Sequence, residues 1–364
     1  MMIISVLSFF LLVILGHYFA WYLSLQACPR LKIKKYWLLA IYIVITTIFL
    51  SSFIYLHQND GQVFSYIYFV SAVLFGLLSQ LMLLGVLYYL LMLIARAMVS
   101  IKDLQKKYSV RLAQIFILLA VALFVVGTYN AFYPQVKNIN LVNWPTELKG
   151  KTVVQLSDLH LGAIYRPNYV NRIVKQVNTL NADMIIISGD LFDGSDESLQ
   201  EFIEPLSKFS VPTIFVSGNH DPYVVDDEVI QTVLSAGLIN LSDSAEVIDG
   251  IEVIGFKYSG REDSDQRRAI ANLDQTDSLA KIVVNHVPVD QAEAKALGAD
   301  LMLSGHTHRG QIFPFSIIIN LLYGRFAYGL EDYEGMSVYT SAGTGTWGPP
   351  LRTLFPGEII QFNL

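Results

Sequence analysis

Hydrophobic residues fall into two regimes along this chain. Residues 2–25, 36–56, 66–94 and 112–132 are long apolar stretches without a single Lys, Arg, Asp or Glu. A helix crosses a bilayer in about 20 such residues, so the pattern predicts four membrane-spanning helices. The third stretch exceeds one span and is expected to tilt or to extend beyond the interface. After Pro134 the runs shorten. About fifteen residues, 135–150, lead into strands predicted at 151–157, Met184–Ser188, 212–217, 251–255, 281–285, 300–304 and Met336–Thr340. Continuous apolar runs such as Met184-Ile185-Ile186-Ile187 suit strands covered on both faces. Amphipathic stretches between them predict helices at 167–180, 199–209, 228–236 and 290–297, with Pro167 at a helix start and Gly237 just past an end. The alternation predicts a sheet flanked by helices, with strand-end loops building a site. The expected organisation is a transmembrane domain over 1–133, a linker over 134–150 and an α/β domain over 151–364.

Composition sharpens this division. With 53% hydrophobic and 15% charged residues and a mean hydropathy of +0.45, the chain is too apolar for one water-soluble domain. Residues 1–133 carry +7 and residues 134–364 carry −13, so the acidity belongs entirely to the second part. That part offers no dense basic patch, which argues against a nucleic-acid partner. The first and third loops hold nine basic residues, Arg30, Lys32, Lys34, Lys35, Arg96, Lys102, Lys106, Lys107 and Arg111, while residues 57–65 hold none. Basic loops stay cytoplasmic, so both chain ends and the acidic domain are expected outside the cytoplasm, with the lipid bilayer as partner. The predicted address is the cell (inner) membrane, multi-pass. The single cysteine, Cys28, excludes an intrachain disulfide and any cysteine-built metal site. Leu25-Gln26-Ala27-Cys28 loosely resembles a lipobox, but no basic residue opens the segment, so an uncleaved helix is expected. His17 lies at membrane depth, either with a function or hydrogen-bonded between helices.

The chemistry sits where the strands end. Successive runs close with Ser157-Asp158-Leu159-His160, Gly189-Asp190-Leu191-Phe192-Asp193, Gly218-Asn219-His220-Asp221, Asn285-His286 and Gly305-His306-Thr307-His308. Every histidine of the second part is among them. Carboxylates and imidazoles without thiolate suit manganese, iron or zinc in a mixed nitrogen and oxygen shell. These residues are too many for one ion. Two divalent ions roughly 3.5 to 4 Å apart, sharing a carboxylate, would clamp the attacking and leaving oxygens of a phosphoryl displacement and generate a hydroxide nucleophile.

With these five blocks in this order, the chain resembles the calcineurin-like metallophosphoesterase superfamily. The resemblance implies a four-layer α/β/β/α sandwich with a two-metal site, here preceded by an all-α bundle of four transmembrane helices. It implies that Asp158, His160 and His308 hold one metal, that Asn219, His286 and His306 hold the other, and that Asp190 bridges them. It further implies that His220 contacts the scissile phosphate and protonates the leaving oxygen, that Asp193 orients His220, and that Asp221 is structural. The segments Ser157 to Gly162, Gly305 to Gln311 and Ser341 to Arg352 look like the exported or membrane-anchored bacterial branch. Two positions depart from the wider family. Gly194 stands where serine/threonine protein phosphatases have arginine, which speaks against a phosphoprotein substrate. Arg309 stands where many relatives have glycine, and either holds a phosphate oxygen or forms a surface salt bridge.

Other features leave more open. Residues 312–330 are strongly apolar and uncharged before Arg325. They are either a lid or docking segment that meets the membrane and admits a lipid phosphoester, or a helix buried against the sheet. Arg261, Glu262 and Asp263 either line the cleft or form a solvated turn. Trp347, in a glycine-dense loop, is expected to wall the pocket. The expected function is a membrane-anchored phosphoesterase acting on a phosphodiester, monoester or lipid-linked pyrophosphate. The alternative is a membrane sensor or scaffold that binds a phosphorylated ligand without turnover, and a transporter is disfavoured by the lack of intramembrane charge.

Overall fold

The computed structural model describes residues 2–30, 35–56, 61–97, 102–141, 144–193, 199–221, 231, 233–258 and 278–364. It forms two compact units, one of residues 1–54, 66–129 and 348–351, the other of 55–65, 130–347 and 352–364.

The helical region consists of α1 (Met2–Ala27), α2 (Lys35–Leu56), α3 (Gln62–Ala97) and α4 (Lys102–Phe132). Among the described residues, α2, α3 and the Tyr108–Phe132 part of α4 are long and apolar enough to cross a membrane. α3, at 36 residues, is longer than a span requires. Leu23, Ala27, Leu84, Tyr88, Met92, Ala113 and Ala120 form the buried cluster of the bundle. Small residues let the backbones approach: a Cβ on Gly85 would meet the Phe19 carbonyl oxygen at 2.5 Å. His17 is buried, its Nδ1 donating to the Val13 carbonyl at 2.6 Å and its Nε2 lying 2.9 Å from Thr46 Oγ1. Of the two roles open to this residue, the hydrogen bond between helices is the one observed.

The second unit contains two six-stranded mixed sheets. The first is ordered β1 (Gln135–Asn140), β14 (Glu358–Asn363), β2 (Thr152–Leu156), β4 (Met184–Ser188), β6 (Thr213–Val216) and β7 (Ile239–Asn240). The second is ordered β12 (Gly329–Tyr333), β13 (Met336–Thr340), β11 (Leu301–Ser304), β10 (Ala280–Asn285), β9 (Ile251–Phe256) and β8 (Ser244–Ile248). Two short strands, β3 (Leu161–Gly162) and β5 (Phe192–Asp193), pair on their own. Val153, Ile186, Ile214 and Phe362 of the first sheet share one buried cluster with Val253, Ile282, Val284 and Leu303 of the second. The apolar runs are therefore continuous because both strand faces are covered. α5 (Pro167–Asn178) buries Tyr169, Val170, Ile173, Val174 and Val177 at helical spacing. α7 (Gln291–Ala296) contributes Ala294 to a second cluster with Ile254, Val283 and Met302.

Several expectations are adjusted. The stretch read as a linker contains β1, which pairs in parallel with β14, and a 3-10 turn whose Leu148 is buried. The helix expected over 199–209 is α6 (Leu199–Ile203) followed by a 3-10 turn, Glu204–Lys208, because Pro205 cannot supply an amide to continue the α-helix. The helix expected over 228–236 falls partly outside the described residues, as do Gly194, Arg261, Glu262 and Asp263 entirely.

Candidate metal centre

β2, β4 and β6 run parallel in the first sheet, and β9, β10, β11 and β13 run parallel in the second. The loops at their carboxyl ends meet. Asp158 and His160 follow β2, Asp190 and Asp193 follow β4, Asn219 and His220 follow β6, His286 follows β10, and His306 and His308 follow β11. Tight turns aim these side chains inward. Asp158 (φ 52°), His160 (φ 47°), Asp190 (φ 53°), His306 (φ 68°) and His308 (φ 48°) all occupy the left-handed region, which costs a non-glycine residue roughly 1–2 kcal/mol. Such strain persists only where surrounding contacts hold it. Asp221 supplies some of them: its buried carboxylate accepts from the backbone N–H groups of Asp190 (2.9 Å), Leu191 (2.9 Å), Phe192 (3.1 Å) and Gly218 (2.6 Å). It belongs to none of the donor groups described next. Glycine is required by sterics at several of these turns. A Cβ on Gly218 would strike Asp190 Oδ1, and one on Gly305 would strike Ser157 Oγ.

Among the described residues three clusters of donor atoms result, each of a kind that could hold an ion: Asp158, His160 and His308; Asp190, His286 and His306; and His160, Asp193 and His220. In the first, His308 Nε2 is 3.3 Å from Asp158 Oδ1 and 3.2 Å from His160 Nε2. In the second, His286 Nε2 is 3.1 Å from Asp190 Oδ2, and His306 Nδ1 is 2.6 Å from Asn219 Oδ1. Asp190 Oδ2 also lies 3.7 Å from His160 Nε2, so it touches both clusters. The other oxygen, Oδ1, accepts from the backbone N–H of His220 at 2.8 Å. In the third, His220 Nδ1 is 3.4 Å from Asp193 Oδ1. The Trp347 ring stands edge-on to His220 at 5.9 Å, where the sequence expects a pocket wall.

The donor set fits a cation. His286 Nδ1 donates to the Ser188 carbonyl at 2.8 Å. That fixes the tautomer, so in the neutral ring Nε2 is a bare lone pair. Buried and without a hydrogen bond, it faces the Asp190 carboxylate. A lone pair opposed to a carboxylate is repulsive unless a positive charge, a metal ion's or a ring proton's, lies between them. Electrostatics agree. Burial works to lower the His286 pKa, yet the Asp190 carboxylate pushes it up to about 10. Burial works to raise the Asp190 pKa, yet His286 and His160 hold it well below the usual carboxylate range. Burial lowers His160 to about 4, and burial with the charge of His286 lowers His306 to about 4. Burial, then His160, holds His308 well below its ordinary value. These three imidazoles are neutral near pH 7, as metal ligation requires. Asp158 is raised to about 6 by burial. For His220 burial works downward, but Asp193 and then Asp190 raise the pKa above the ordinary value.

Arg309 is not in this cluster. Its guanidinium carbon sits 3.9 Å from the Tyr328 ring centroid and 3.3 Å from that of Phe355, so neither a salt bridge nor a contact to the donor atoms is its observed setting. The segment 312–330 contains α8 (Phe315–Tyr323), which has no buried residue, and the buried-helix expectation is therefore corrected. An apolar string alone does not say which neighbour covers it.

The pattern of the sequence gave no role to Arg352, which is 1% exposed. It donates to the carbonyl oxygens of Ala342 (2.5 Å), Gly345 (2.5 Å), Gly343 (3.2 Å) and His308 (3.3 Å), tying the glycine-rich loop to the backbone of His308. Glu358 likewise carries no signal in the sequence pattern. It accepts from Tyr328 Oη, Tyr339 Oη and the Ala342 N–H.

Residues 151–310 match the family model for calcineurin-like phosphoesterases. A metallophosphoesterase of Campylobacter jejuni, described as uncharacterized, is 34% identical over 273 residues, covering 71% of this chain and 72% of that protein. A Danio rerio protein named transmembrane protein with metallophosphoesterase domain is 32% identical over 279 residues, 70% of this chain and 63% of its own length. A crystal structure of a dimetal phosphatase from Danio rerio aligns with a TM-score of 0.38 at 13% identity, covering 54% of this chain and 88% of that one. This chain belongs to the calcineurin-like phosphoesterase family, and it carries helices long and apolar enough to cross a membrane.

Proposed function

We propose that this protein is a membrane-anchored phosphoesterase that uses two divalent metal ions, manganese, iron or zinc. The observation that carries the reading is Asp190 Oδ2, placed 3.1 Å from His286 Nε2 and 3.7 Å from His160 Nε2, where one carboxylate oxygen serves two donor clusters. In this reading Asp158, His160 and His308 hold one ion, Asn219, His286 and His306 the other, and Asp190 both. When bound, such a pair would supply Lewis-acid chemistry, lowering the pKa of a nearby water and offsetting phosphate charge. His220 donates the proton to the leaving oxygen; the neighbouring Asp193 and Asp190 carboxylates favour its acid form against the effect of burial, and Asp193 orients its ring. Trp347 covers the same edge of the pocket.

The proposed architecture is four membrane spans over 1–133 and a phosphoesterase domain over 151–364 with α/β/β/α layers, joined by residues that include β1. The charge pattern of the loops supports an extracytoplasmic domain on the inner membrane. A phosphodiester, a monoester or a lipid-linked pyrophosphate is the substrate class, with lipid-linked esters first because the enzyme is tethered.

The test is hydrolysis of chromogenic phosphodiesters and phosphomonoesters by the full-length, detergent-purified protein with added Mn²⁺. His220→Asn should lower kcat by about 10²- to 10⁴-fold, the contribution of a general acid, and Asp190→Asn should abolish turnover. Unchanged rates in both variants would refute the assignment. A metal-loaded wild type that turns over no ester would favour the ligand-binding scaffold.

A further inference from the structure

The segment after the His306–His308 block builds a second concavity that the metal chemistry does not use. α8 exposes Ile317, Leu321 and Leu322 at 53%, 81% and 70%. Phe313, Phe315, Leu354 and Phe355 extend the exposed apolar surface. A contiguous patch of this kind marks a place where something apolar docks.

Against this helix lies a cavity of about 320 Å³, lined by Arg309, Ser316, Asn320 and Arg325 together with Phe313 and Leu354. The Arg309 guanidinium is held between the faces of Tyr328 and Phe355, and that of Arg325 lies 4.7 Å from the Phe326 centroid. Among the described residues, the ion pairs formed by lysine involve Asp249, Glu204 and Glu252, and neither arginine takes part in one. Contact with ring faces restrains a guanidinium without using its N–H donors, which can take an oxyanion bidentately. Two arginines, a hydroxyl and a carboxamide thus line a pocket rimmed by apolar side chains.

A free anion would satisfy the arginines but leave α8 bare. A lipid satisfies both, with its phosphate in the cavity and its chains along Ile317, Leu321 and Leu322. The bilayer is also the partner the chain is bound to reach, since its α2, α3 and α4 have the length and apolarity of membrane spans. We propose that the Arg309–Arg325 cavity binds the phosphate of an anionic bilayer lipid, with α8 lying in the boundary between headgroups and acyl chains. The Tyr323 ring, at the end of α8, is 6.1 Å from the His306 ring, so the lipid would sit beside the candidate metal centre. This binding goes beyond the phosphoesterase reading and needs neither metal nor turnover.

The test uses full-length protein in phosphatidylcholine nanodiscs doped with phosphatidylglycerol that carries a diazirine in its acyl chain, with adducts mapped by mass spectrometry after irradiation. Adducts are expected within residues 313–325. Arg309→Gln/Arg325→Gln should reduce them about ten-fold or more, the loss of at least one charge-assisted contact. Leu321→Ser/Leu322→Ser, at side chains that pack against no core residue, should reduce them as well while leaving hydrolysis of a soluble ester unchanged. Adducts confined to residues 2–132, or equal labelling of the wild type and both double variants, would overturn the proposal. Loss of labelling on adding inorganic phosphate would reassign the cavity to the free anion and overturn the lipid as its occupant.

Discussion

Replacing Arg352 by Met keeps most of the volume of the side chain and removes its hydrogen bonds. Four carbonyl oxygens, those of Ala342, Gly343, Gly345 and His308, then lose a donor in a place water does not reach. Each unpaired buried acceptor costs roughly 1–3 kcal/mol, and bonds from a charged donor are at the strong end. Asp158 and Glu358 lose the nearby positive charge at the same time. The sum is not additive, because the loop relaxes and the desolvation cost of a buried cation disappears. A net loss of about 3–5 kcal/mol is expected, the size of a broken buried network. For a domain of this size each kcal/mol shifts Tm by roughly 2–4 °C, so Arg352→Met should melt about 10 °C lower in detergent. Hydrogen exchange should locate the damage: amides in residues 341–347 and at His308 lose protection first. Arg352→Lys, which keeps the charge but not the forked geometry, should fall between wild type and Met. A Tm within 2 °C of wild type, with residues 341–347 still protected, would refute the role given to this arginine.

Gly305→Ala should weaken metal binding about 10- to 100-fold, measured by titration of the stripped protein, because the new methyl displaces Ser157 and Asp158. Asp193→Asn should lower kcat about ten-fold or more while two ions are retained, since Asp193 is nearer to His220 than to His160 and lies outside the two clusters that Asp190 joins. Loss of metal in that variant would contradict the separation of roles. Chelation should lower Tm, and Mn²⁺ at 100 times its Kd should restore roughly 2.7 kcal/mol of stability. A reporter active only outside the cytoplasm, fused after Leu364, should give signal; signal from a cytoplasmic reporter instead would reverse the proposed topology.

What the sequence makes legible follows from local signals. The apolar runs before Asp158, Asp190, Asn219, His286 and His306 place those residues at strand ends, and the structure brings all of them within one site. Gln135–Asn140 and Glu358–Asn363 were less visible, since short strands with interspersed polar residues become strands by pairing with each other across more than 200 residues of chain, Gln135 opposite Glu358. Ser244–Ile248, only partly buried, has the same difficulty at a sheet edge. Arg352, Glu358 and the Asp221 carboxylate act mostly through partners that lie elsewhere along the chain, which no spacing rule encodes. Arg309 shows the limit from the other side. Its charge is plain in the sequence, but the rings of Tyr328 and Phe355 that decide its setting are 19 and 46 residues away.

The central claim is a two-metal centre joined by Asp190, and metal content per chain tests it most directly. Full-length protein loaded with Mn²⁺ and desalted should carry two ions by inductively coupled plasma mass spectrometry, and Asp190→Asn, which weakens the carboxylate that both clusters touch, should retain fewer than one. One ion in the wild type, or two in Asp190→Asn, would contradict the account.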